Sequence, residues 1–336
     1  MKFSVLGAGG WGTTIAIILN EKGHNVILYE YFSDYCRVLN EKRENVKFLK
    51  GIKIPKNIKI VNNFKMAIES SEFIVLATPS HVLRKFLKKI KKLNYKQKVF
   101  ISVIKGIEQK SLMTMSEIIK QELGNVKIVV LSGPSLAQEV ARKIPTTVVA
   151  ASEDLKLAEK VQQMLSTNYF RIYTNNDVKG VELGGSLKNV IAIAAGILDG
   201  LKTGDNTKAA LITRGLAEIK RLGIKMGAHD DTFYGLAGLG DLVVTCESKL
   251  SRNRTVGEQL GKGKKLKEIL QNMEMIAEGV KTAYSAYRLS KKYNIEMPIT
   301  REVYEVIYNN KSPYKSIADL MSRTLKSEKE FLIKNK

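Results

Sequence analysis

Residues 2–12 read KFSVLGAGGWG, and residues 13–19 continue as TTIAIIL. The run KFSVL predicts a β-strand, and the residues after the glycines predict a helix. Between them Gly7, Gly9 and Gly12 show the spacing G-x-G-x-x-G in its required strand–turn–helix context. The first glycine permits the tight turn, the second lets backbone approach a pyrophosphate, and the third lets the helix pack on the strand. The stretch therefore predicts a dinucleotide-binding turn, with a plain glycine-rich turn as the alternative.

Glu30 is the next candidate in the same half of the chain. It ends the second predicted strand, some twenty residues after the glycines. A carboxylate at that position accepts hydrogen bonds from the adenosine ribose hydroxyls of a bound dinucleotide. The alternative is an ordinary exposed glutamate.

Outward from the turn, short apolar strands alternate with helices, which indicates a parallel sheet covered on both faces. The predicted strands are Lys2–Leu6, Asn25–Tyr29, Phe73–Ala77, Lys98–Val103, Lys127–Leu131, Thr146–Ala151 and Phe170–Thr174. The predicted helices between them are Trp11–Lys22, His81–Lys92, Leu112–Leu123, Leu136–Arg142 and Leu155–Leu165. After about Asn176 the strand signals stop and only helical patterns follow. We therefore expect an α/β doubly wound domain over residues 1–176, an all-α domain over residues 177–336, and a fraying tail over Lys326–Lys336.

Length and composition agree with two folded domains. The chain has 336 residues, of which 44% are hydrophobic and 26% are charged, as in globular proteins. The two cysteines, Cys36 and Cys246, form no CxxC pair, which favours a reducing compartment, and we predict no metal site. Glycines interrupt the apolar N-terminus, and no stretch is expected to reach the apolar length of a membrane span. We expect a cytoplasmic protein without stable membrane insertion.

The net charge of +22 raises the question of an anionic partner. Such a balance suits nucleic acid or an anionic membrane surface. Lysines that fill solvated helix faces explain the charge equally well, and no interleaving of aromatic and basic residues accompanies it. We therefore expect no nucleic-acid partner, and a basic nucleic-acid-binding protein is the less favoured alternative.

Two further segments follow predicted strands at their carboxyl ends, where α/β sheets bind ligands. Lys105 follows the fourth predicted strand, and Ser132-Gly133-Pro134-Ser135 follows the fifth and opens a helix. The second segment predicts an anion or carbonyl site at a helix N-terminus. The alternatives are a surface lysine and simple helix capping by Ser135.

In the second half, the segment VELGGSLKNVIAIAAGIL predicts a buried helix that carries Lys188 and Asn189. A lysine is almost never fully buried without a partner, and Asn189 adds a neutral donor and acceptor. The small residues on the lysine's face leave room for a ligand, and they are Ala192, Ala195 and Gly196. A structural lysine whose ammonium reaches solvent is the alternative.

The glycine-rich segment GLAGLGDLVVTC contains Asp241, which needs a cation in so apolar a run. Lys188 is the expected partner. In the following SRNR segment, Arg252 offers a planar fork suited to phosphate and Asn253 supplies amide donors. Ser251 either caps a helix or binds the same anion. Read alone, SRNR is only a polar turn.

Several segments together carry a resemblance to one family. They read GAGGWGTT (7–14), VIKGIE (103–108), LSGPSLAQEVA (131–141), ELGGSLKNVIAIAAGI (182–197), ALITRGLAEIKRLG (210–223), FYGLAGLGDLVVTC (233–246) and SRNRTVG (251–257). The chain resembles the bacterial NAD(P)-dependent glycerol-3-phosphate dehydrogenases almost from end to end. The resemblance implies a Rossmann domain followed by an all-helical domain, with the active site in the cleft between them. It also implies reversible reduction of dihydroxyacetone phosphate to sn-glycerol 3-phosphate by NAD(P)H, which supplies glycerophospholipid synthesis.

The resemblance also implies roles for individual residues. Lys188 matches the family's general acid/base. The residues expected to contact substrate are Lys105, Gly133, Ser135, Asn189, Asp241, Thr245, Ser251, Arg252 and Asn253. With the glycine turn and Glu30 included, the expected cofactor contacts are Gly7, Gly9, Gly10, Trp11, Gly12, Glu30, Lys105, Ala137, Arg252, Ile276 and Glu278.

The sequence departs from the family's pattern after the second strand. The family often has a basic residue there that can meet the 2′-phosphate of NADP, whereas this chain reads Tyr29-Glu30-Tyr31-Phe32. Of NAD and NADP we therefore expect NAD to be preferred. A dehydrogenase of the same plan that acts on another small acid or phosphate is the alternative enzyme. The oligomeric state stays open, a homodimer included.

Overall fold

The structure is a computed structural model, and it describes residues 1–273 and 277–328. The chain divides into two compact units, of which the first contains Met1–Glu108 and Met113–Glu182. The second contains Gln109–Leu112 and Leu183–Lys336. The domain boundary between residues 176 and 177 stays a prediction. Of the tail expected to fray, residues 329–336 lie outside the described residues.

An eight-stranded sheet forms the centre of the first unit. The strands are β1 (Lys2–Leu6), β2 (Asn25–Tyr29), β3 (Lys59–Val61), β4 (Phe73–Leu76), β5 (Val99–Ser102), β6 (Lys127–Ser132), β7 (Thr146–Ala151) and β8 (Phe170–Asn175). Their order in the sheet is β3-β2-β1-β4-β5-β6-β7-β8. The order therefore changes direction between β1 and β4. In open α/β sheets such a switch point is where ligands bind, and the glycine turn leaves β1 there.

Helices cover this sheet. They are α1 (Gly10–Glu21), α2 (Ser33–Lys42), α3 (Phe64–Glu69), α4 (Leu83–Ile90), α5 (Met115–Leu123), α6 (Ala137–Ala141) and α7 (Leu155–Leu165). The core between sheet and helices contains Phe3, Ile15, Leu28 and Phe170, none of which is exposed. The doubly wound sheet is thus confirmed, but β3, α2 and α3 were not predicted. The three residues of β3 are too few to show a strand pattern.

The prediction of a purely parallel sheet is wrong at one pair, because β6 and β7 run antiparallel. Only the five-residue helix α6 lies between them. At 1.5 Å per residue that helix returns the chain by about 8 Å, whereas a six-residue strand spans about 20 Å. The connection therefore does not carry the chain back to the starting edge, and β7 runs opposite to β6.

The described part of the second unit contains helices and no strand. The helices are α8 (Val178–Leu201), which starts in the first unit, α9 (Asp205–Lys225), a 3₁₀ turn (Asp231–Tyr234), a π-helical turn (Leu236–Gly240), α10 (Asp241–Glu247), α11 (Arg252–Gly261), α12 (Leu266–Gln271), α13 (Glu278–Lys292), α14 (Pro298–Tyr308) and α15 (Pro313–Met321). Their presence after the sheet confirms the predicted all-α second half.

The helix α8 corrects the expectation that no stretch reaches the apolar length of a membrane span. It is long and apolar enough to cross a membrane, with a mean hydropathy of 1.4 over its most apolar window. That window is entirely buried inside the protein. A helix that is apolar all round suits the centre of a helical unit as well as a membrane, and here burial explains the composition.

Glu218 on α9 is a buried carboxylate, 1% exposed, that caps the N-terminus of α14. Its Oε1 accepts from the backbone N–H of Ile299 at 2.6 Å, and its Oε2 accepts from the N–H of Thr300 at 3.0 Å. Burial raises the pKa of Glu218 to about 7, and these N–H groups act in the opposite direction. The side chain ties two helices of the second unit together.

We expect Glu218→Gln to remove a pH-dependent part of the stability. The carboxyl pKa is raised on folding, so the folded state keeps its proton while the unfolded state ionises. The group's contribution is therefore complete below about pH 4.5 and falls by roughly 3 kcal/mol as the pH rises through 7. Urea unfolding of wild type and Glu218→Gln between pH 4.5 and 8 measures this contribution to the free energy of unfolding. A constant difference between wild type and Glu218→Gln across this range would contradict the expectation.

Candidate active site

The glycine turn after β1 has the geometry that a pyrophosphate requires. Gly7 has a φ of +117°, which L side chains rarely adopt. A Cβ on Gly12 would lie 2.0 Å from the carbonyl oxygen of Gly7, so only glycine lets α1 start this close to β1. A Cβ on Gly9 would meet nothing within 4 Å, so the backbone there is open to a ligand. The first-turn N–H groups of α1 lack intrahelical acceptors and suit a phosphate.

Two other candidate cofactor contacts lie beside this turn. Ala137 begins α6, and its carbonyl oxygen accepts from Thr14 at 3.2 Å. A Cβ on Gly10 would lie 3.6 Å from the Ala137 side chain and 2.6 Å from the carbonyl oxygen of Phe48. Trp11 packs edge-on against Phe170 at 6.1 Å between ring centroids. The structure thus brings Gly10 and Ala137 together, while Trp11 contacts the core.

Asn45 supports the glycine turn through hydrogen bonds, and the sequence alone did not indicate it. Its side chain is completely buried, and its Nδ2 donates to Ala8 O and to Thr13 Oγ1, each at 2.8 Å. Its Oδ1 accepts from the Tyr35 hydroxyl at 2.7 Å and from the Phe48 N–H at 3.1 Å. All four hydrogen-bonding positions of the amide are therefore used. No motif marks this residue, because its partners come from separate segments.

Glu30 is buried rather than an ordinary exposed glutamate, with 7% exposure. Its Oε1 accepts from the Phe32 N–H at 2.9 Å. Burial raises its pKa, while the backbone N–H groups of Phe32, Tyr31 and Ala8 and the charge of Lys47 act in the opposite direction. The effect of the Ala8 N–H on this pKa indicates that the carboxylate lies close to the glycine turn, as a contact to the adenosine ribose requires.

Lys105, Gly133 and Ser135 form a cluster at the carboxyl ends of β5 and β6. The Lys105 ammonium donates to Gly133 O at 2.9 Å and lies 3.4 Å from Ser135 Oγ. The Ser135 hydroxyl also donates to Gly133 O, at 2.8 Å. The alternative that Ser135 caps a helix is wrong, because α6 begins at Ala137 without a side-chain cap. The cluster presents an ammonium and a hydroxyl at one edge of the sheet.

The predicted pair of Lys188 and Asp241 is present in the second unit. The Lys188 ammonium donates to Asp241 Oδ1 at 2.8 Å and to Thr245 Oγ1 at 2.6 Å. The Lys188 side chain is 8% exposed and that of Asp241 is 1% exposed. Thr245 in turn donates to the backbone oxygen of Asp241 at 2.6 Å. Because breaking a buried ion pair is strongly destabilising, this arrangement holds the ammonium in one place.

Glycines position this pair. A Cβ on Gly184 of α8 would lie 2.5 Å from the carbonyl oxygen of Ala237, in the π-helical turn that precedes Asp241. The face of α8 with small residues does not leave the room for a ligand that we expected. A Cβ on Gly196 would lie 1.9 Å from the carbonyl oxygen of Arg254, so protein backbone fills the space that we assigned to a ligand.

The SRNR segment opens α11. Ser251 is the N-cap, and its Oγ accepts from the Arg254 N–H at 3.3 Å, so it caps the helix. Arg252, the first residue of the helix, is exposed, yet desolvation lowers its pKa while the nearby charge of Glu278 raises it. Asn253 is buried and donates to Asn189 Oδ1 at 2.8 Å. The expected contact Ile276 lies outside the described residues.

Among residues 1–273 and 277–328, no group of three or more His, Cys, Asp or Glu side chains could hold a metal ion. The site residues therefore fall into two sets. The first unit has a glycine turn that fits a dinucleotide, and the second has a buried lysine–aspartate pair, an arginine at the start of α11 and two hydrogen-bonded asparagines. This fold and these residues define a Rossmann-type dinucleotide-dependent dehydrogenase with a helical second half.

Comparison with known proteins gives the family. The N-terminal model of NAD-dependent glycerol-3-phosphate dehydrogenase matches residues 2–158, and the C-terminal model matches residues 177–318. The chain belongs to the NAD-dependent glycerol-3-phosphate dehydrogenase family.

Individual relatives agree with this assignment. The chain is 52% identical to "Glycerol-3-phosphate dehydrogenase [NAD(P)+]" of Thermoanaerobacter sp. (strain X514), over 98% of this chain and 99% of that protein. It is 49% identical to the protein of the same name from Citrifermentans bemidjiense, over 97% and 98% of the two chains. The crystal structure of glycerol-3-phosphate dehydrogenase from Coxiella burnetii is 38% identical, with a TM-score of 0.93 over 96% of this chain and 99% of that one.

We expect Asn45→Asp to weaken NADH binding by about 10-fold or more, because a carboxylate replaces the donors to Ala8 O and Thr13 Oγ1 and leaves the turn without support. Fluorescence titration with NADH measures the effect. Asn40→Asp is the matched control, since Asn40 is exposed and donates to Cys36 O and Ile60 O, away from the turn. Equal NADH affinity in both variants would show that Asn45 does not shape the binding turn.

Proposed function

We propose that the chain catalyses the reversible NAD(P)H-dependent reduction of dihydroxyacetone phosphate to sn-glycerol 3-phosphate. The buried Lys188–Asp241–Thr245 cluster is the observation that carries this proposal, because it supplies a held proton donor inside a chain of this family. Oxidation of NADH that depends on dihydroxyacetone phosphate is the direct test. Two relatives that match the chain over almost their whole length are named "Glycerol-3-phosphate dehydrogenase [NAD(P)+]", which supports the proposal. We propose that the product supplies glycerophospholipid synthesis.

NAD(P)H, when bound, supplies the hydride for the C2 carbonyl of the substrate. As negative charge develops on the carbonyl oxygen, Lys188 donates a proton to it, and in the reverse direction Lys188 accepts the proton of the hydroxyl. Asp241 and Thr245 hold the Lys188 nitrogen in place through their hydrogen bonds. Proton transfer requires this fixed geometry, because a misplaced donor loses most of its effect.

The phosphate of the substrate is assigned to Arg252. Its guanidinium has a planar set of donors that matches a phosphate bidentately, and it remains charged despite its lowered pKa. Lys105 and Ser135 are the proposed substrate contacts of the first unit, since they present an ammonium and a hydroxyl at the sheet edge. Binding energy from the phosphate then contributes to orienting the ketone.

The remaining sequence predictions are proposals of the same kind. Both cysteines, Cys36 and Cys246, are free and buried, which supports a reducing, cytoplasmic location. The burial of α8 supports the absence of stable membrane insertion. A homodimer is the proposed assembly, and sedimentation at micromolar protein measures the oligomeric state.

We expect Lys188→Ala to lower kcat by about 10²- to 10⁴-fold, because the proton donor is lost, while NADH still binds to the glycine turn. Since the Ala variant leaves Asp241 buried and unpaired, Lys188→Arg is the matched variant that keeps a cation beside Asp241 but cannot act as a base. Steady-state rates and NADH fluorescence measure both. Retention of more than about a tenth of the wild-type rate in either variant would exclude Lys188 as the acid/base.

For the cofactor we propose that NADH is preferred over NADPH. The buried Glu30 carboxylate accepts from a ribose 2′-hydroxyl but repels a 2′-phosphate, and two like charges about 4 Å apart cost roughly 1–4 kcal/mol. Lys47 acts on Glu30, and Lys89 lies 5.3 Å from the centre of the Tyr31 ring, so two cations oppose this preference from neighbouring segments.

We expect wild type to have the higher kcat/KM with NADH, and Glu30→Gln to narrow the difference by improving NADPH. Because the pKa of Glu30 is raised, discrimination against NADPH should weaken as the pH falls and the carboxyl becomes neutral. Specificity constants for both cofactors at fixed ionic strength, between pH 5.5 and 8, decide this. Lys47→Ala is the companion variant and should widen the difference. A wild type that prefers NADPH would mean that the lysines outweigh Glu30.

A further inference from the structure

An ion-pair cluster joins four helices of the second unit at Asp199, in the last turn of α8. The Arg254 Nε of α11 lies 2.6 Å from Asp199 Oδ2, and the Lys208 Nζ of α9 lies 2.5 Å from Asp199 Oδ1. Lys208 also lies 3.7 Å from an oxygen of Glu247, the last residue of α10. The first three side chains are only 13–17% exposed, so water and salt screen their charges weakly. None of the four residues has a role in the proposed reaction, although three of these helices carry the charged groups of the candidate site.

Arg254 and Asp199 compensate each other's charge. Arg254 Nε and Asp199 Oδ2 are buried, and in the described part of the chain neither atom has a hydrogen-bond partner of good geometry, which leaves the attraction of the two charges at 2.6 Å. The carboxylate of Glu258 lies farther from this arginine, at 4.0 Å from its Nη1. Because a buried charge that loses its partner is strongly destabilising, the side chain of Arg254 is held against α8.

The backbone of Arg254 is held at the same place. A Cβ on Gly196 would lie 1.9 Å from the Arg254 carbonyl oxygen, so this residue packs directly on α8. Gly196 and Asp199 are three residues apart and therefore share one face of α8. The Arg254 N–H donates to Ser251 Oγ at 3.3 Å, which caps α11. Arg254 is thus attached to α8 by its backbone and by its side chain, and it anchors the first turn of α11.

The same turn carries Arg252, the proposed ligand of the substrate phosphate. Successive residues of a helix are rotated by about 100° around its axis, so Arg252 and Arg254 project to nearly opposite sides of α11. A rotation of α11 that separated Arg254 from Asp199 would turn Arg252 by the same angle. The ion pair therefore stabilises one direction in which Arg252 leaves the helix.

We propose that Asp199 is a positioning residue for the substrate phosphate, because by holding Arg254 it sets the direction in which Arg252 presents its guanidinium to that phosphate. This role rests on the proposed function. Lys208 holds the other oxygen of Asp199, which keeps the carboxylate turned toward Arg254. Since Asp199 acts through Arg254 and not on the ketone, its removal should impair only the recognition of the phosphate.

Comparison of two ketones on the full-length enzyme tests this role, dihydroxyacetone phosphate and the phosphate-free dihydroxyacetone. We expect Asp199→Asn to lower kcat/KM for dihydroxyacetone phosphate by about 10-fold or more, because Arg252 is no longer directed at the phosphate. The kcat/KM for dihydroxyacetone should change by less than about 2-fold, and its stimulation by added phosphite dianion should fall by about 10-fold. Equal losses with both ketones would mean that Asp199 only supports the fold, and would overturn the proposal.

Arg254→Met breaks the same ion pair from the other side. Asp199 then keeps Lys208 as its partner, and methionine fills much of the space of the arginine stem, so this variant leaves no carboxylate unpaired. We expect the same phosphate-specific loss. The double variant should lose no more than about 2-fold beyond either single variant, since both substitutions remove one interaction. Fold-changes that multiply would show that Asp199 and Arg254 act separately, and would overturn the proposal.

Glu258→Gln is the matched control, since its carboxylate also lies on α11 but pairs with Lys262 and comes only within 4.0 Å of Arg254. We expect it to stay within about 2-fold of wild type with both ketones. A phosphate-specific loss as large as that of Asp199→Asn would overturn the proposal, because any charge on α11 would then have the same effect. NADH fluorescence and urea unfolding establish that each variant is folded. A wild type without NADH oxidation that depends on dihydroxyacetone phosphate would overturn the proposed function, whereas an active wild type whose variants lose both ketones equally would overturn only the positioning role.

Discussion

Close approach of one backbone to another is the constraint on which both units depend. In the first unit, the Gly12 position leaves no room for a Cβ, which would lie 2.0 Å from Gly7 O, so α1 begins directly over the end of β1. In the second unit, Cβ atoms on Gly196 and Gly257 would each lie 1.9 Å from a carbonyl oxygen of the facing helix. Helices that touch through backbone have few alternative registers, because side-chain repacking cannot absorb a shift. The positions of Lys188 on α8 and Arg252 on α11 are therefore set by glycines through which the two helices touch.

Within this framework the two buried carboxylates of the candidate site are compensated in different ways. Asp241 is paired with the Lys188 ammonium at 2.8 Å, so the charges stabilise each other and hold the ammonium. Glu30 is compensated chiefly by backbone N–H groups, and burial still raises its pKa. The first arrangement keeps a proton donor in place. The second keeps a carboxylate that accepts from ribose hydroxyls. The negative charge of this carboxylate, and with it the repulsion of a 2′-phosphate, varies with pH.

The sequence predicted the features that depend on local patterns. Seven of the eight strands, the glycine turn and the buried helix around Lys188 follow from apolar runs and from glycine spacing, and Asp241 needed a cation wherever it lay. The sequence did not predict Asn45, whose four partners come from separate segments, or the direction of β7, which depends on the reach of α6. The prediction of ligand space beside Gly196 was also wrong, because it too depended on which distant segment packs there. A small residue shows that something comes close, but only the fold shows that this is backbone.

Besides glycine contacts and charges, neutral asparagine amides also fix the local geometry of both units. Asn45 accepts from the Phe48 N–H and donates to Ala8 O, and Asn253 accepts from the Gly279 N–H and donates to Asn189. In both units a backbone N–H, which cannot reverse its polarity, fixes one side of an amide and thereby fixes the other. A charged side chain in either place would bring a desolvation cost of several kcal/mol per ion, and it would act on every neighbouring charge. An asparagine transmits direction without adding a charge that would act on the Lys188–Asp241 pair or on Arg252.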